Sequence, residues 1–187
     1  MKLTKLHPHQ QIEGLSGLSV QDFWIWAYAD LLTGSVRNAF AEFMVGFALG
    51  TLAQPRAWIQ RRGLQYRGRR VDVRAAAYVQ SEQQERPSRI RYDIGAGPAP
   101  DEADPPVDVF VFCLFAWEDY IDKDAARNAI IDSANWVFYV VPAAAVSEAR
   151  AEQKMVGPRW LNQHASGGPV PFAFLQERVD FVLGATS

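Results

Sequence analysis

The segment Val109-Phe-Val-Phe-Cys-Leu-Phe115 constrains the fold more than any other, because seven consecutive side chains are apolar. Successive side chains of a strand point to opposite faces, so a run with no polar member at either parity must be covered on both sides. It predicts a strand over Val107–Phe115 and, with it, layers of other elements above and below. Trp136-Val-Phe-Tyr-Val-Val141 repeats the pattern and predicts a second strand stopped by Pro142.

Helical patterning precedes these strands. Ser19 reads as the N-cap of a helix over Val20–Leu32 that ends at Thr33-Gly34. Ser35 opens a second helix to Leu49 with Gly50 as its stop, and Val36, Phe40, Phe43, Met44 and Phe47 recur at helical spacing as its apolar face. Both helices are expected to pack on the core. From Ala57 the pattern changes to short segments punctuated by Gly63 and Gly68, predicting strands over Ala57–Gln60, Leu64–Tyr66 and Arg70–Ala76. Ser88–Ile94 alternates and predicts a half-buried strand, whereas Gly95–Pro106, rich in glycine and proline, predicts a loop. A short helix over Ala143–Arg150 and a terminal helix over Phe172–Leu183 complete an α/β architecture with a mixed sheet. Residues 1–18 have no sustained period and read as an arm that packs loosely, leaving 19–187 as one domain.

Composition agrees with a soluble globular chain. Of 187 residues 49% are hydrophobic, the formal net charge is −2, and a chain of this size buries roughly 70% of its unfolded surface. The longest apolar stretches fall short of the ~20 residues a membrane helix needs, and no signal-peptide core opens the chain, which predicts a cytoplasmic protein without membrane partners. Cys113 is the single cysteine, so no internal disulfide can form, and its place inside the apolar run marks it as a buried small hydrophobe.

The near-neutral total conceals an asymmetry. Arg56, Arg61, Arg62, Arg67, Arg69, Arg70 and Arg74 crowd a stretch whose single acid is Asp72, and Arg86, Arg89 and Arg91 extend it. The sign reverses through Asp93, Asp101, Glu102, Asp104, Asp108, Glu118, Asp119, Asp122 and Asp124. Arginine outnumbers lysine by 15 to 4, and its planar fork suits phosphate and carboxylate alike. The basic half therefore reads either as a phosphate-binding surface or as the internal partner of the acidic half.

Familiar catalytic signatures are absent: there is no phosphate-cradling Gly-x-x-x-x-Gly-Lys, no dinucleotide fingerprint, no Gly-x-Ser-x-Gly and no zinc spacing. What remains is Val71-Asp-Val-Arg-Ala-Ala-Ala-Tyr-Val-Gln-Ser81. Two residues apart on a strand, Asp72 and Arg74 share a face and can meet one ligand. In metal-dependent phosphodiester cleavage such an acid holds Mg²⁺ while the cation stabilises charge on the attacked phosphate.

The blocks Ser19–Leu32, Arg37–Val45, Val71–Ser81, Asp108–Leu114 and Trp136–Pro142 together resemble an uncharacterised bacterial family with the restriction-endonuclease-like, PD-(D/E)XK, fold. The resemblance covers most of residues 19–154 and implies a mixed sheet flanked by helices. It places Ala41-Glu42 where the family's first helices offer a carboxylate to the metal site, and Trp58-Ile59 at the family's Trp-Asp. Its Glu-x-Lys falls on Asp72-x-Arg74 and its Ser-Ala-x-Tyr-x-Gln on Ala75–Gln80, so Tyr78 and Gln80 are implied to face the same cleft. The metal-binding aspartate is thus replaced by Ile59, and the titratable lysine by an arginine that cannot relay a proton near neutrality.

Three readings follow. The first is a nuclease-fold protein whose metal site has eroded, impaired in catalysis through Asp72, Arg74, Glu42 and Gln80 and needing no cofactor. It would bind DNA or RNA through Arg61, Arg62, Arg67, Arg69 and Arg70. The second is an active nuclease in which Mg²⁺ sits on Glu42 and Asp72 and a distant acid, Asp93 or Asp108, completes the set. The third is a non-catalytic interaction or structural module, with the arginines pairing the acidic stretch in the same chain or in a homodimer partner. Trp160, beside Pro158-Arg159 and expected in a loop, is the one tryptophan placed to stack on a base; the others read as structural.

Overall fold

The computed structural model describes residues 5–53, 56, 63–95 and 106–184. In chain order the elements are α1 (Val20–Tyr28), α2 (Gly34–Ala48), β1 (Leu64–Tyr66), β2 (Arg69–Ala77), β3 (Tyr92–Asp93), β4 (Val109–Phe115), α3 (Lys123–Ala129), β5 (Trp136–Pro142), α4 (Ala143–Glu152), β6 (Met155–Val156), α5 (Pro158–His164) and α6 (Leu175–Val182). The expected strand Ala57–Gln60, with Trp58, Ile59, Arg61 and Arg62, and most of the expected loop Gly95–Pro106 lie outside the described residues.

The main sheet runs β1-β2-β4-β5, with β2 and β4 parallel and the other two pairs antiparallel. All seven residues of β4 are buried, as its composition requires. Their parity divides the core. Val109, Val111, Cys113 and Phe115 join Val71, Val73, Trp136, Phe138 and Val140 in one cluster that contains Ala41 and Met44 of α2, Ala126 of α3 and Val179 of α6. Phe110, Phe112 and Leu114 join Ala76, Tyr139 and Val141 in a second cluster beneath Val146 of α4, Leu161 of α5, and the β3/β6 ribbon with Tyr92 and Val156. Each large side chain so buried contributes about 1.5–3 kcal/mol. The outcome is three layers with the mixed sheet in the middle. No helix among the described residues is long and apolar enough to cross a membrane.

Gly63 and the tight approach of β1 to β2 show why the hairpin needs glycine there. Its φ is +65°, and a Cβ would stand 2.0 Å from the Val71 carbonyl oxygen.

Residues 5–18 are exposed apart from half-buried Ile12 and meet the rest of the chain through a few hydrogen bonds: Val20 N donates to Gln10 O at 2.9 Å, Gln21 N to Pro8 O at 2.9 Å, and Lys5 Nζ to Leu52 O at 3.1 Å. Several expectations change. Helix α1 stops at Tyr28 because Asp30 forms a turn, accepting from Leu32 N at 3.1 Å and from the Ser81 hydroxyl. This turn sends Leu32 into the core and leaves α1 outside, with Val20 its one buried residue and Trp26 83% exposed. The buried side of α2 is Arg37, Ala41, Met44, Val45 and Gly46, while Phe43 and Phe47 face water, so the expected apolar stripe is rotated. Small Ala41 lets the helix lie close to the sheet, and Asn38 locks it there by accepting Ala75 N–H at 2.9 Å. The strand expected over Ser88–Ile94 contracts to β3, and Trp160 belongs to α5, whose first residue is the proline that its fixed φ favours there.

The start of α1 is held by a capping box, with Ser19 N donating to Asp22 Oδ2 at 2.8 Å and Asp22 N to Ser19 Oγ at 3.4 Å. Ser19→Ala is expected to cost about 1 kcal/mol, read as a lowered urea midpoint with unchanged slope. An unchanged midpoint would mean that α1 adds nothing to the cooperative unit.

Candidate functional site

Asp72 and Arg74 sit on β2 at even positions, and so point to the face that carries the β3/β6 ribbon. Arg74 meets the carboxylate with a fork, Nε to Oδ1 at 2.6 Å and Nη2 to Oδ2 at 3.2 Å, and its Nη1 donates to Asp93 O at 3.3 Å. The Asp72 side chain is 12% exposed and that of Arg74 30%. Burial pulls the Arg74 pKa down, but the hydrogen bond and charge of Asp72 outweigh it and raise the guanidinium above its ordinary value. Both oxygens of this carboxylate are thus engaged by a permanent cation.

Glu42 is treated in the same way. Arg56 forks onto it, with Nη2 to Oε1 at 2.8 Å and Nε to Oε2, and Asn38 Nδ2 donates to Oε1 at 2.9 Å. The hydrogen bond to Glu42 raises the Arg56 pKa against the pull of burial.

Gln80 stands apart from this pair. Its Oε1 accepts from Arg37 Nη2 at 3.0 Å, its Nε2 donates to Ala77 O at 2.7 Å, and its carbonyl accepts from Lys123 Nζ at 2.6 Å. Arg37 also donates to Leu32 O at 2.6 Å, and burial lowers its pKa. Gln80 therefore ties α2, the end of β2 and α3 together. Tyr78 packs at the margin of the second cluster.

The acids named in the second reading as completing the set are also engaged. Asp108 Oδ2 accepts from Arg70 N at 2.8 Å and Oδ1 from Arg69 Nη1 at 3.0 Å, while Asp93 Oδ1 accepts from Gly95 N at 2.9 Å. Among the described residues no three His, Cys, Asp or Glu side chains gather where they could hold a metal ion. Mg²⁺ needs oxygen ligands in near-octahedral geometry, and the fork on each carboxylate engages both of its oxygens and sets a fixed cation beside it.

Of the arginines expected to bind nucleic acid, Arg67 lies 3.4 Å from Asp180 and over the Tyr66 ring, Arg69 pairs with Asp108, and Arg70 is buried. The pairs to Asp180 and Asp108 link residues far apart in sequence, which left no local signal to read. Burial pushes the Cys113 thiol well above its ordinary pKa, as expected for an inert core side chain.

Together the fold and the site define an α/β protein with a mixed four-stranded sheet and two arginine-forked carboxylates beside it. Comparison with protein-family models, curated proteins and solved structures finds no match for this chain.

Proposed function

We propose that the chain is a catalytically silent protein of the restriction-endonuclease-like fold, in which an ion pair has taken the place of the metal, and that it acts by binding nucleic acid. The observation that carries the first half is the Asp72–Arg74 fork, at the positions where the resemblance puts the metal-binding acid and its lysine. To admit Mg²⁺, Asp72 would have to give up a largely buried ion pair or hold two cations side by side. Arginine richness on a chain whose metal site is closed supports binding as the function that remains.

The test is calorimetric titration with Mg²⁺ and Mn²⁺ of the full chain and of Asp72→Ala, alongside plasmid and single-strand cleavage. The expected result is no metal-binding heat and no cleavage by either protein. Metal binding and cleavage that both vanish in Asp72→Ala would overturn the proposal and restore an active nuclease. A second reading, a structural module, draws on the ion pairs Arg67–Asp180 and Arg69–Asp108, which spend two basic-stretch arginines inside the chain. Absence of binding to any DNA or RNA at low salt would favour it.

A further inference from the structure

We infer that the cleft between residues 88–91 and the start of α5 binds single-stranded nucleic acid, a base stacking on Trp160 while phosphates are held by Arg89, Arg91 and Arg159. This rests on the binding half of the function proposed above, and it assigns that binding to residues other than Asp72, Arg67, Arg69 and Arg70.

The topology builds the site. Because β3 and β6 are antiparallel with Tyr92 opposite Val156, residues leading into β3 run beside those leaving β6. Continuing the register sets Arg91 opposite Gly157 and Arg89 opposite Arg159. Gly157 keeps the two segments close, since a Cβ there would stand 3.2 Å from Ile90 O. Between them opens a cleft of about 570 Å³, within the ~300–1,000 Å³ typical of ligand sites, lined by Tyr78, Arg89, Arg91, Arg159 and Trp160 among others. A second hollow of about 510 Å³ shares Ser88 and Arg89 with it and adds Arg86, so the basic surface extends beyond one nucleotide.

Charge points to an anion. Arg56, Arg67, Arg69, Arg74 and Arg127 each lie on a carboxylate. By contrast, Arg89, Arg91 and Arg159 are exposed and make no ion pair or side-chain hydrogen bond among the described residues. No acid lines their cleft, and Glu85 borders only the second hollow. Gathering like charges without an intervening acid is unfavourable in the free protein, and an anionic chain relieves it.

Aromatic geometry narrows the anion to one that carries flat rings. The Trp160 indole packs back on the second core cluster and stacks on His164 with centroids 4.2 Å apart and planes at 12°. His164 Nδ1 lies 2.8 Å from Trp160 O, which steadies the stack. His164 covers one face of the indole, and the half-buried Trp160 lines the cleft together with Gln153 and Gln163, whose amides suit a base edge. Only an unpaired, unstacked base can present its face to the indole.

The test is anisotropy of a labelled oligothymidylate with the full chain, over a salt series, with duplex DNA of equal length and thymidine monophosphate as competitors. Trp160→Ala is expected to weaken binding roughly tenfold, about 1.4 kcal/mol. Trp160→Phe, which keeps a ring, should restore most of it, separating stacking from any loss of fold. Arg89→Ala and Arg159→Ala should each lower the slope of log K against log salt by about 0.7. Oligonucleotide binding that all four variants leave unchanged would overturn the cleft and spare the proposed function. No binding by the parent chain would sink both. Duplex or monophosphate competing as well as the single strand would overturn the assignment of a strand.

Discussion

Arg74→Ala lowers the unfolding free energy by about 2–3 kcal/mol. Removing one partner of a buried ion pair costs roughly 3–5 kcal/mol because the other charge is left without compensation. Here the arginine is 30% exposed, so water screens part of the loss and brings it to the bottom of that range or below. Asp72 suffers most, since it is 12% exposed and both its oxygens depend on the fork. Replacing the pair together, Asp72→Asn with Arg74→Met, should cost less than Arg74→Ala alone, because no uncompensated charge remains. Urea unfolding of the parent, Asp72→Asn, Arg74→Met and the double gives the coupling energy directly. A loss below about 1 kcal/mol for Arg74→Ala would mean that Asp72 finds other support, and the ion pair would no longer support the proposed loss of metal binding.

Trp136→Ala has the largest effect expected on stability, about 4 kcal/mol. The indole is buried at the start of β5 between Phe40 and Phe115, at centroid distances of 6.1 and 5.5 Å, and its Nε1 donates to Ile130 O at 2.8 Å. Truncation leaves a cavity and strands a buried carbonyl. Trp136→Phe keeps most of the apolar volume and loses the hydrogen bond, so about 1–2 kcal/mol is expected. Thermal and urea unfolding rank the two; equal costs would show that the hydrogen bond, and not the ring volume, holds this corner.

The strands at the centre were legible because they see water on neither face. For β4 and β5 composition alone decides, and the observed bounds, Val109–Phe115 and Trp136–Pro142, differ from the expected ones by a residue or two. Helix α2 was legible as a helix but not in its orientation. Its richest apolar stripe lost to a side bearing Ala41, which packs in the core with the sheet, and Gly46, against which Leu52 folds, and Arg37 is admitted there because Leu32 O and Gln80 accept its protons. The aromatic richness of α1 gave no warning that Asp30 would end the helix and leave its rings outside. Within the site, the shared face of Asp72 and Arg74 follows from their spacing. Their mutual fork, the Arg56–Glu42 pair and the link of Arg69 to Asp108 depend on chain reversals that no local pattern encodes. The basic cleft was half legible: Arg86, Arg89, Arg91 and Trp160 each drew notice, but it took the β3/β6 ribbon to bring Arg159 beside them.

The alternation along β2 carries a further consequence. Val71, Val73 and Ala77 belong to one side of the sheet, and Asp72, Arg74 and Ala76 to the other. Sliding the strand by a single residue would invert this assignment, driving a carboxylate and a guanidinium into the apolar cluster beneath α2 and α6. Sliding it by two would restore the parity but carry Ala75 N–H away from Asn38 and Gly63 away from the tight approach at Val71. The charged pair thus works as a reading frame: whatever it contributes in free energy, it leaves the central strand one way to be threaded.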